Sequence, residues 1–219
     1  VQSVVRPLPS HAAYTRTKTL FLRFIIEFRN TPEMSYTEST MLTLGTEAPP
    51  FQLTDTVSGI TRALEELKSS TATVIMFLCN HCPYVKHVNP EIIRLALDFI
   101  PRGVSFIAIS SNDAVRYPDD GPEQMKIKAL ELGYPFPYLF DETQEVARTY
   151  DAACTPDFYL FDGQLKLVYR GRLDEAKPKN EIPLTGKDLR KAIEAVLNEQ
   201  PVTEKQYPSA GCNIKWKMQ

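Results

Sequence analysis

Cys79 and Cys82 flank Asn80-His81 in the stretch Val74-Ile-Met-Phe-Leu-Cys-Asn-His-Cys-Pro-Tyr-Val-Lys-His87. Two thiols three positions apart can form a redox couple, supply half of a metal site, or simply pack in a core. An apolar run precedes them and a helical pattern follows, which sets the pair at a strand-to-helix junction. Unpaired backbone N–H groups and the helix dipole favour negative charge there, and the thiolate is the species that attacks disulfides and peroxides. Cys79, the first of the pair, is expected to be the exposed nucleophile. Cys82, one turn into the helix, can close a disulfide back onto it and release a bound partner. His81 can donate to the Cys79 thiolate or, when protonated, favour it electrostatically, which makes the disulfide more oxidising.

Two further cysteines lie far along the chain, in Cys154-Thr-Pro156 and in Gly211-Cys-Asn-Ile-Lys-Trp216. A proline at the mouth of a strand is permitted if trans and, if cis, marks a tight, specified turn. Cys212 has two readings: a late resolving thiol that swings onto the site, or a packed tail residue with Trp216 anchoring the end. Packing is preferred. A tetrahedral zinc site could draw on Cys79, Cys82, His81 or His87, and Cys154 or Cys212. A structural zinc site usually has a second close-spaced ligand pair, and this chain has none, so zinc is the minor alternative. Arg170-Gly-Arg172, with Lys177-Pro-Lys179 nearby, reads as a solvated face, because no Gly-rich phosphate loop accompanies it.

The elements that must position these residues follow from periodicity. Phe51-Gln-Leu53 and Ile60-Thr-Arg62 flank a turn at Thr56-Val-Ser-Gly59 and suggest a lead-in hairpin. Ala63 to Lys68 fits one helical turn. Thr71 to Leu78 is a β-branched and aromatic run of the kind buried on both faces of a sheet. From Cys82 onward, Val85, Val88, Ile92, Leu95 and Phe99 recur at spacings of three and four, with Pro83 in the first turn and Pro90 predicting a kink. Val104 to Ser110 is a second buried strand. Pro118-Asp-Asp-Gly-Pro-Glu opens a helix with Met125, Ala129 and Leu132 on one face and Gly133 at its end. Tyr138-Leu-Phe140 is a short strand, and Asp141 with Gln144 predicts a capped helix carrying Val146, Ala147 and Tyr150. Phe158 to Asp162 and Leu165 to Arg170 form a hairpin. Thr185-Gly-Lys-Asp188 predicts a capping box for a last helix burying Leu189, Ile193, Val196 and Leu197. The tail from Pro201 shows no clear period. Alternating strands and helices that end in a hairpin and a helix give an α/β layered domain with a mixed sheet.

Composition bounds the setting. The chain of 219 residues is 43% hydrophobic and 24% charged with a net charge of -2, which indicates a globular protein and no general pull toward nucleic acid or an anionic membrane. Four unevenly placed cysteines favour an intracellular redox or metal role over a disulfide scaffold, and so a cytoplasmic location. No apolar run is long enough to span a bilayer. Residues 1–33 are rich in Arg and poor in acids. They read as an extension outside the native domain, with Met34 or Met41 as the natural beginning, and an organellar transit segment is the alternative. The expected division is an extension over 1–40, a domain over 41–200 and a tail over 201–219 packed on it.

The order strand, CxxC, helix, then Thr-Pro entering a hairpin resembles the thioredoxin fold. Further pieces carry the likeness: Leu44-Gly-Thr-Glu-Ala-Pro-Pro-Phe51, Met76 to His87, Tyr134-Pro-Phe-Pro-Tyr-Leu-Phe-Asp141, Cys154-Thr-Pro-Asp-Phe-Tyr-Leu-Phe-Asp162, Tyr169-Arg-Gly-Arg-Leu-Asp174, and Pro208 to Trp216. Together they resemble a peroxiredoxin-like branch of the thioredoxin superfamily, related to the alkyl hydroperoxide reductase and thiol-specific antioxidant group. The resemblance implies a mixed central sheet flanked by helices, an N-terminal hairpin extension of peroxiredoxin type, and a cis Pro156. It also implies that Thr155 offers backbone groups to a substrate or partner strand, and that Cys154 lies near the Cys79–Cys82 pair as a possible additional redox residue.

Two reactions suit such a site, and neither needs a cofactor. In thiol-disulfide exchange Cys79 attacks a protein or small-molecule disulfide, Cys82 resolves the mixed disulfide, and a thiol reductant recycles the pair. In peroxide reduction, an antioxidant role, Cys79 becomes a sulfenic acid that Cys82 or another cysteine resolves. Typical peroxiredoxins carry Pro-x-x-x-Thr-x-x-Cys at the attacking cysteine. The stretch from Thr73 through Met76-Phe-Leu78 has neither that proline nor that threonine, so exchange is preferred.

Overall fold

The computed structural model describes residues 36–218, and the expectations for residues 1–33 lie outside them. Strand β1 (Tyr36–Glu38) precedes the antiparallel hairpin of β2 (Gln52–Asp55) and β3 (Thr61–Ala63), which leads into the single turn α1 (Leu64–Leu67). Then β4 (Ala72–Phe77), α2 (Pro83–Phe99), β5 (Val104–Ser110), α3 (Pro122–Leu132), β6 (Tyr138–Phe140) and α4 (Glu145–Thr149) alternate. The chain continues through β7 (Cys154–Thr155), β8 (Asp157–Asp162), β9 (Leu167–Gly171), α5 (Lys187–Leu197) and β10 (Ala210–Asn213). Among the described residues no helix is long and apolar enough to cross a membrane.

Seven strands form one mixed sheet in the order β3-β2-β6-β5-β4-β8-β9, with β4 inside it, parallel to β5 and antiparallel to β8. Its period of two sorts side chains to the two faces. Val74, Met76, Phe106, Ala108, Phe158 and Leu160 pack on one side with Val85, Ile92 and Leu95 of α2 and Leu189 and Ile193 of α5. Ile75, Phe77, Ile107, Ile109, Tyr159 and Phe161 pack on the other with Phe51, Val146, Ala147 and Tyr150. Each fully buried side chain of this size contributes roughly 1.5–3 kcal/mol of transfer free energy. That burial on both faces fixes β4, and with it the position of the residues that follow its end.

Helix α2 carries Pro90 inside a single element. The helix caps differ from the local expectation. The cap of α4 is Gln144 at a φ of 65°, while Asp141 accepts the Ala147 N–H at 3.0 Å and the Ser111 hydroxyl at 2.8 Å. The cap of α5 is Gly186, which has no side chain to give. Asp174 takes over, accepting the N–H groups of Thr185 and Gly186 at 2.7 and 2.6 Å.

The expected solvated face at Arg170 is corrected outright: Arg170 is 0% exposed. On β9 its side chain points inward and lies over the Tyr159 ring at 4.9 Å, with Asp157 at 3.7 Å. It donates to the Thr40 hydroxyl at 2.6 Å and to the Asp151 carbonyl at 2.7 Å, so these neighbours offset part of the cost of burying its charge. Lys177 does lie at the surface, beside Tyr36.

The tail, which showed no period, supplies a strand. β10 pairs antiparallel with both β1 and β7, and these three form a second sheet. Tyr36–Glu38 thus belongs to the sheet that the tail completes. Ala-Gly-Cys-Asn has little strand propensity, and its partner segments are equally short, so the pairing is imposed by the packing around it. Gly211 makes the approach possible, since a Cβ there would stand 2.0 Å from the Thr155 carbonyl oxygen and 3.2 Å from Pro156 Cδ.

Two outcomes follow. Gly211→Val is expected to cost about 1–3 kcal/mol in urea unfolding and to open the tail to carboxypeptidase digestion. Unchanged stability together with an equally protected tail would contradict the close approach. Asp157, with burial outweighing the attraction of Arg170, is raised from 3.8 to about 6. The folded state then holds a proton that the unfolded state has lost between about pH 4 and pH 6, so stability falls as pH rises through that window, by up to roughly 3 kcal/mol. Asp157→Asn is expected to lack this fall when unfolding is measured at both ends of the window.

Candidate active site

Strand β4 delivers Cys79 two residues beyond its last member, and Cys82 is the N-cap of α2, with Pro83 at the first helical position. The expected strand-to-helix junction is present. Facing it is the loop between β7 and β8, where the Thr155–Pro156 bond is cis, as the resemblance implies. Thr155 meets both sulfurs of the pair: its hydroxyl lies 3.2 Å from Cys79 Sγ, and its carbonyl accepts from Cys82 Sγ at 3.2 Å. The third sulfur at the pair belongs to Cys212, whose Sγ lies 2.9 Å from that of Cys82. The register Cys212↔Thr155 between β10 and β7 puts it there. Cys154 points away, with its sulfur 3.6 Å from the Pro156 carbonyl oxygen, and burial pushes its pKa up. All four cysteines are buried.

One expectation changes at this point. Cys79 is not exposed: only 1% of it is accessible. At Thr155, β10 takes one edge of β7, the end strand of its three-stranded sheet.

Charge distribution within the sulfur row also departs from the expectation. Cys79 is raised, first by burial, then by Cys82 and by the negative charge of Asp120, with the Thr155 hydroxyl acting in the other direction. Cys212 is raised by Cys82 and by burial. Cys82 is lowered, its hydrogen bonds with Cys212 and then with Cys79 being the largest causes. Burial and the Thr155 carbonyl, which accepts from Cys82 Sγ, favour its protonated form. A single negative charge therefore resides best on the middle sulfur.

His81 turns to a partner that the sequence did not indicate. Its Nδ1 lies 2.5 Å from Asp120 Oδ2, its ring stacks on Tyr117 with centroids 5.3 Å apart, and its Nε2 has no hydrogen-bond partner. Asp120, from the short 3-10 turn Pro118–Asp120, is fully buried. Its oxygens also accept the N–H groups of Asn80 and His81 at 2.7 and 3.2 Å and the Asn112 amide at 2.8 Å. One carboxylate thus holds the backbone and the histidine of the Asn80-His81 bridge. The Pro-Asp-Asp-Gly sequence signals a turn, and nothing local says that Asp120 reaches back forty positions.

Cys79, His81 and Asp120 each offer an atom within 4.8 Å of the others, the arrangement among the described residues that comes nearest to a metal site. Two ligand atoms about 2.0–2.1 Å from one tetrahedral zinc would stand roughly 3.3 Å apart. At 2.5 Å, His81 Nδ1 and Asp120 Oδ2 stand at hydrogen-bonding distance instead. His87 lies elsewhere, lining a cavity of about 220 Å³ with Tyr84, Pro156 and Tyr207.

Because the Asp120 charge disfavours the Cys79 thiolate, Asp120→Asn is expected to lower the pH midpoint of Cys79 alkylation, read by peptide mass spectrometry. A midpoint that stays put or rises would refute that influence.

The AhpC/TSA family matches residues 44–170, a span that contains Cys79, Cys82 and the Thr155–Pro156 loop. Among curated proteins nothing matches. Among solved structures, the chain is similar to an uncharacterized conserved protein from Geobacillus kaustophilus, at 62% identity over 85% of this chain and 98% of that one, with a TM-score of 0.84. It is similar to a hypothetical protein from Sinorhizobium meliloti 1021, at 43% identity over 84% and 100% of the two chains, with a TM-score of 0.82. The thioredoxin domain of a thiol-disulfide oxidoreductase from Bacteroides vulgatus shares the fold, at 18% identity over 69% of this chain and 99% of that one, with a TM-score of 0.54. With its central mixed sheet, its CxxC junction and its cis-proline loop, the chain has a thioredoxin-like fold and belongs to the AhpC/TSA family.

Proposed function

We propose that the protein is a thiol-disulfide oxidoreductase in which Cys79 is the nucleophile and Cys82 the resolving thiol. The observation that carries the reading is the contact of one residue, Thr155, with both sulfurs at the mouth of a helix. Cys79 hands its proton to the Cys82 thiolate as its sulfur attacks a partner disulfide. The partner's first sulfur leaves as a thiolate, and a mixed disulfide remains on Cys79. Cys82, deprotonated again, then attacks the Cys79 sulfur and expels the partner's second thiol. Hydrogen bonds with neighbouring thiols lower the Cys82 pKa, which suits the resolving role. Since Cys79 is buried, the partner's disulfide reaches it only when the chain around it moves. A thiol reductant returns the Cys79–Cys82 disulfide to two thiols, and the uneven cysteine usage supports work in a reducing compartment such as the cytoplasm.

Family membership favours a second reading, peroxide reduction by Cys79. The place where typical peroxiredoxins put a threonine is taken by Met76, which is buried in the sheet core and offers no hydroxyl to a peroxide. That substitution keeps exchange first.

Cys79→Ser is expected to lower insulin-disulfide reduction by roughly a hundredfold or more, while Cys82→Ser accumulates a mixed disulfide on Cys79 visible as an added mass. Full activity in Cys79→Ser would end the proposed mechanism. Rapid peroxide consumption with sulfenic acid trapped at Cys79 would put the peroxidase reading first.

A further inference from the structure

Cys212 is carried by a strand built to bring it to the pair. β10 lies between β1 and β7 in register Cys212↔Thr155, and Gly211 lets the backbone approach the cis-proline loop more closely than any side chain would permit. Ser39 and Ser209 fasten the same crossing, the Ser209 hydroxyl donating to the Pro156 carbonyl at 2.6 Å and the Ser39 N–H to the Ser209 carbonyl at 3.0 Å. The outcome is a sulfur 2.9 Å from Cys82, on a different segment from Cys79. A thiol kept only for packing needs no such alignment with a second thiol.

We infer that Cys212 is a third redox-active thiol, which takes the disulfide over from the Cys79–Cys82 couple as a Cys82–Cys212 bond. The inference rests on the exchange reading above. Once Cys79 and Cys82 are joined, Cys212 gives up its proton and its sulfur attacks the Cys82 sulfur. The Cys82–Cys212 bond forms as the Cys79–Cys82 bond breaks, and Cys79 leaves as a thiolate that takes up a proton. Two cysteines are oxidised before and after, so the step consumes no outside oxidant or reductant. The largest cause of the raised Cys212 pKa is its hydrogen bond with the Cys82 sulfur. That cause disappears when Cys82 enters a disulfide, and the attraction of Lys215 remains. Cys79 is thereby restored as a thiol while the disulfide is held between the helix cap and the tail, where the recycling thiol reductant must act. Cys154, facing the Pro156 carbonyl, has no part in it.

The test is disulfide mapping of the full chain. Protein oxidised with diamide is quenched in acid, alkylated under denaturing conditions and digested with trypsin, which puts Cys79 and Cys82 in peptide 69–86 and Cys212 in peptide 206–215. The expected main product is a cross-link between these two peptides with Cys79 alkylated. It should persist in Cys79→Ser and be lost in Cys82→Ser. In Cys212→Ser the expected bond is the one within peptide 69–86. If the oxidised wild-type protein carries the Cys79–Cys82 bond with Cys212 fully alkylated, the relay is wrong and the exchange reading stands. If none of the three thiols forms a disulfide, both fall.

Discussion

Thr155 touches Cys79 through its hydroxyl and Cys82 through its carbonyl, and its backbone carries the strand that brings Cys212. This one residue sets the spacing of three sulfurs that come from positions 79, 82 and 212. It can do so because the two segments that meet there are held independently. β4 is fixed by burial on both faces of the sheet, and the cis-proline loop is held between β7 and β8. A shift in either would separate the sulfurs, so most of the core serves to keep this distance.

Two buried acids work on opposite sides of that contact. Asp120 holds the Asn80-His81 bridge through three contacts and accepts a fourth from the Asn112 amide, and its charge weighs against a Cys79 thiolate. Asp157 follows the cis-proline and faces Arg170 in the core, where burial holds its carboxyl well above the usual range. Neither makes the site more acidic in the way a basic surrounding would. The charge of the reduced site is stabilised from within, by hydrogen bonds between thiols, with the Val85 and Cys212 N–H groups adding to the pull on Cys82. A row of thiols that share one charge is well suited to passing a disulfide along itself, because each sulfur is already aligned with its neighbour.

The comparison of sequence with structure is uneven for physical reasons. Strands β4, β5 and β6 and helix α2 were legible because their patterns state both period and burial: a continuous apolar run, or apolar residues at spacings of three and four. The junction at Cys79 and Cys82 followed from the adjacency of these two patterns. Arg170 was misread because a lone arginine between apolar strand residues gives no sign that a carboxylate, an aromatic face and two oxygens await it. The cap expected from Thr185 failed for a related reason: an acid from another loop, Asp174, accepts the N–H groups there. β10 was illegible, since Ala-Gly-Cys-Asn has neither length nor alternation.

By itself, then, the sequence determined the layered α/β class, the order of the elements, the cysteine pair at a helix mouth and the Thr-Pro turn, because all of these depend on neighbours within a few positions. Tertiary structure alone decided that Cys79 is buried, that His81 belongs to Asp120, that one edge at Thr155 is taken by β10, and that Cys212 lies against Cys82. Each of these depends on contacts between segments forty to one hundred and thirty residues apart. Such contacts are set by how two closely packed surfaces fit, and at Gly211 the fit turns on the absence of a single carbon atom.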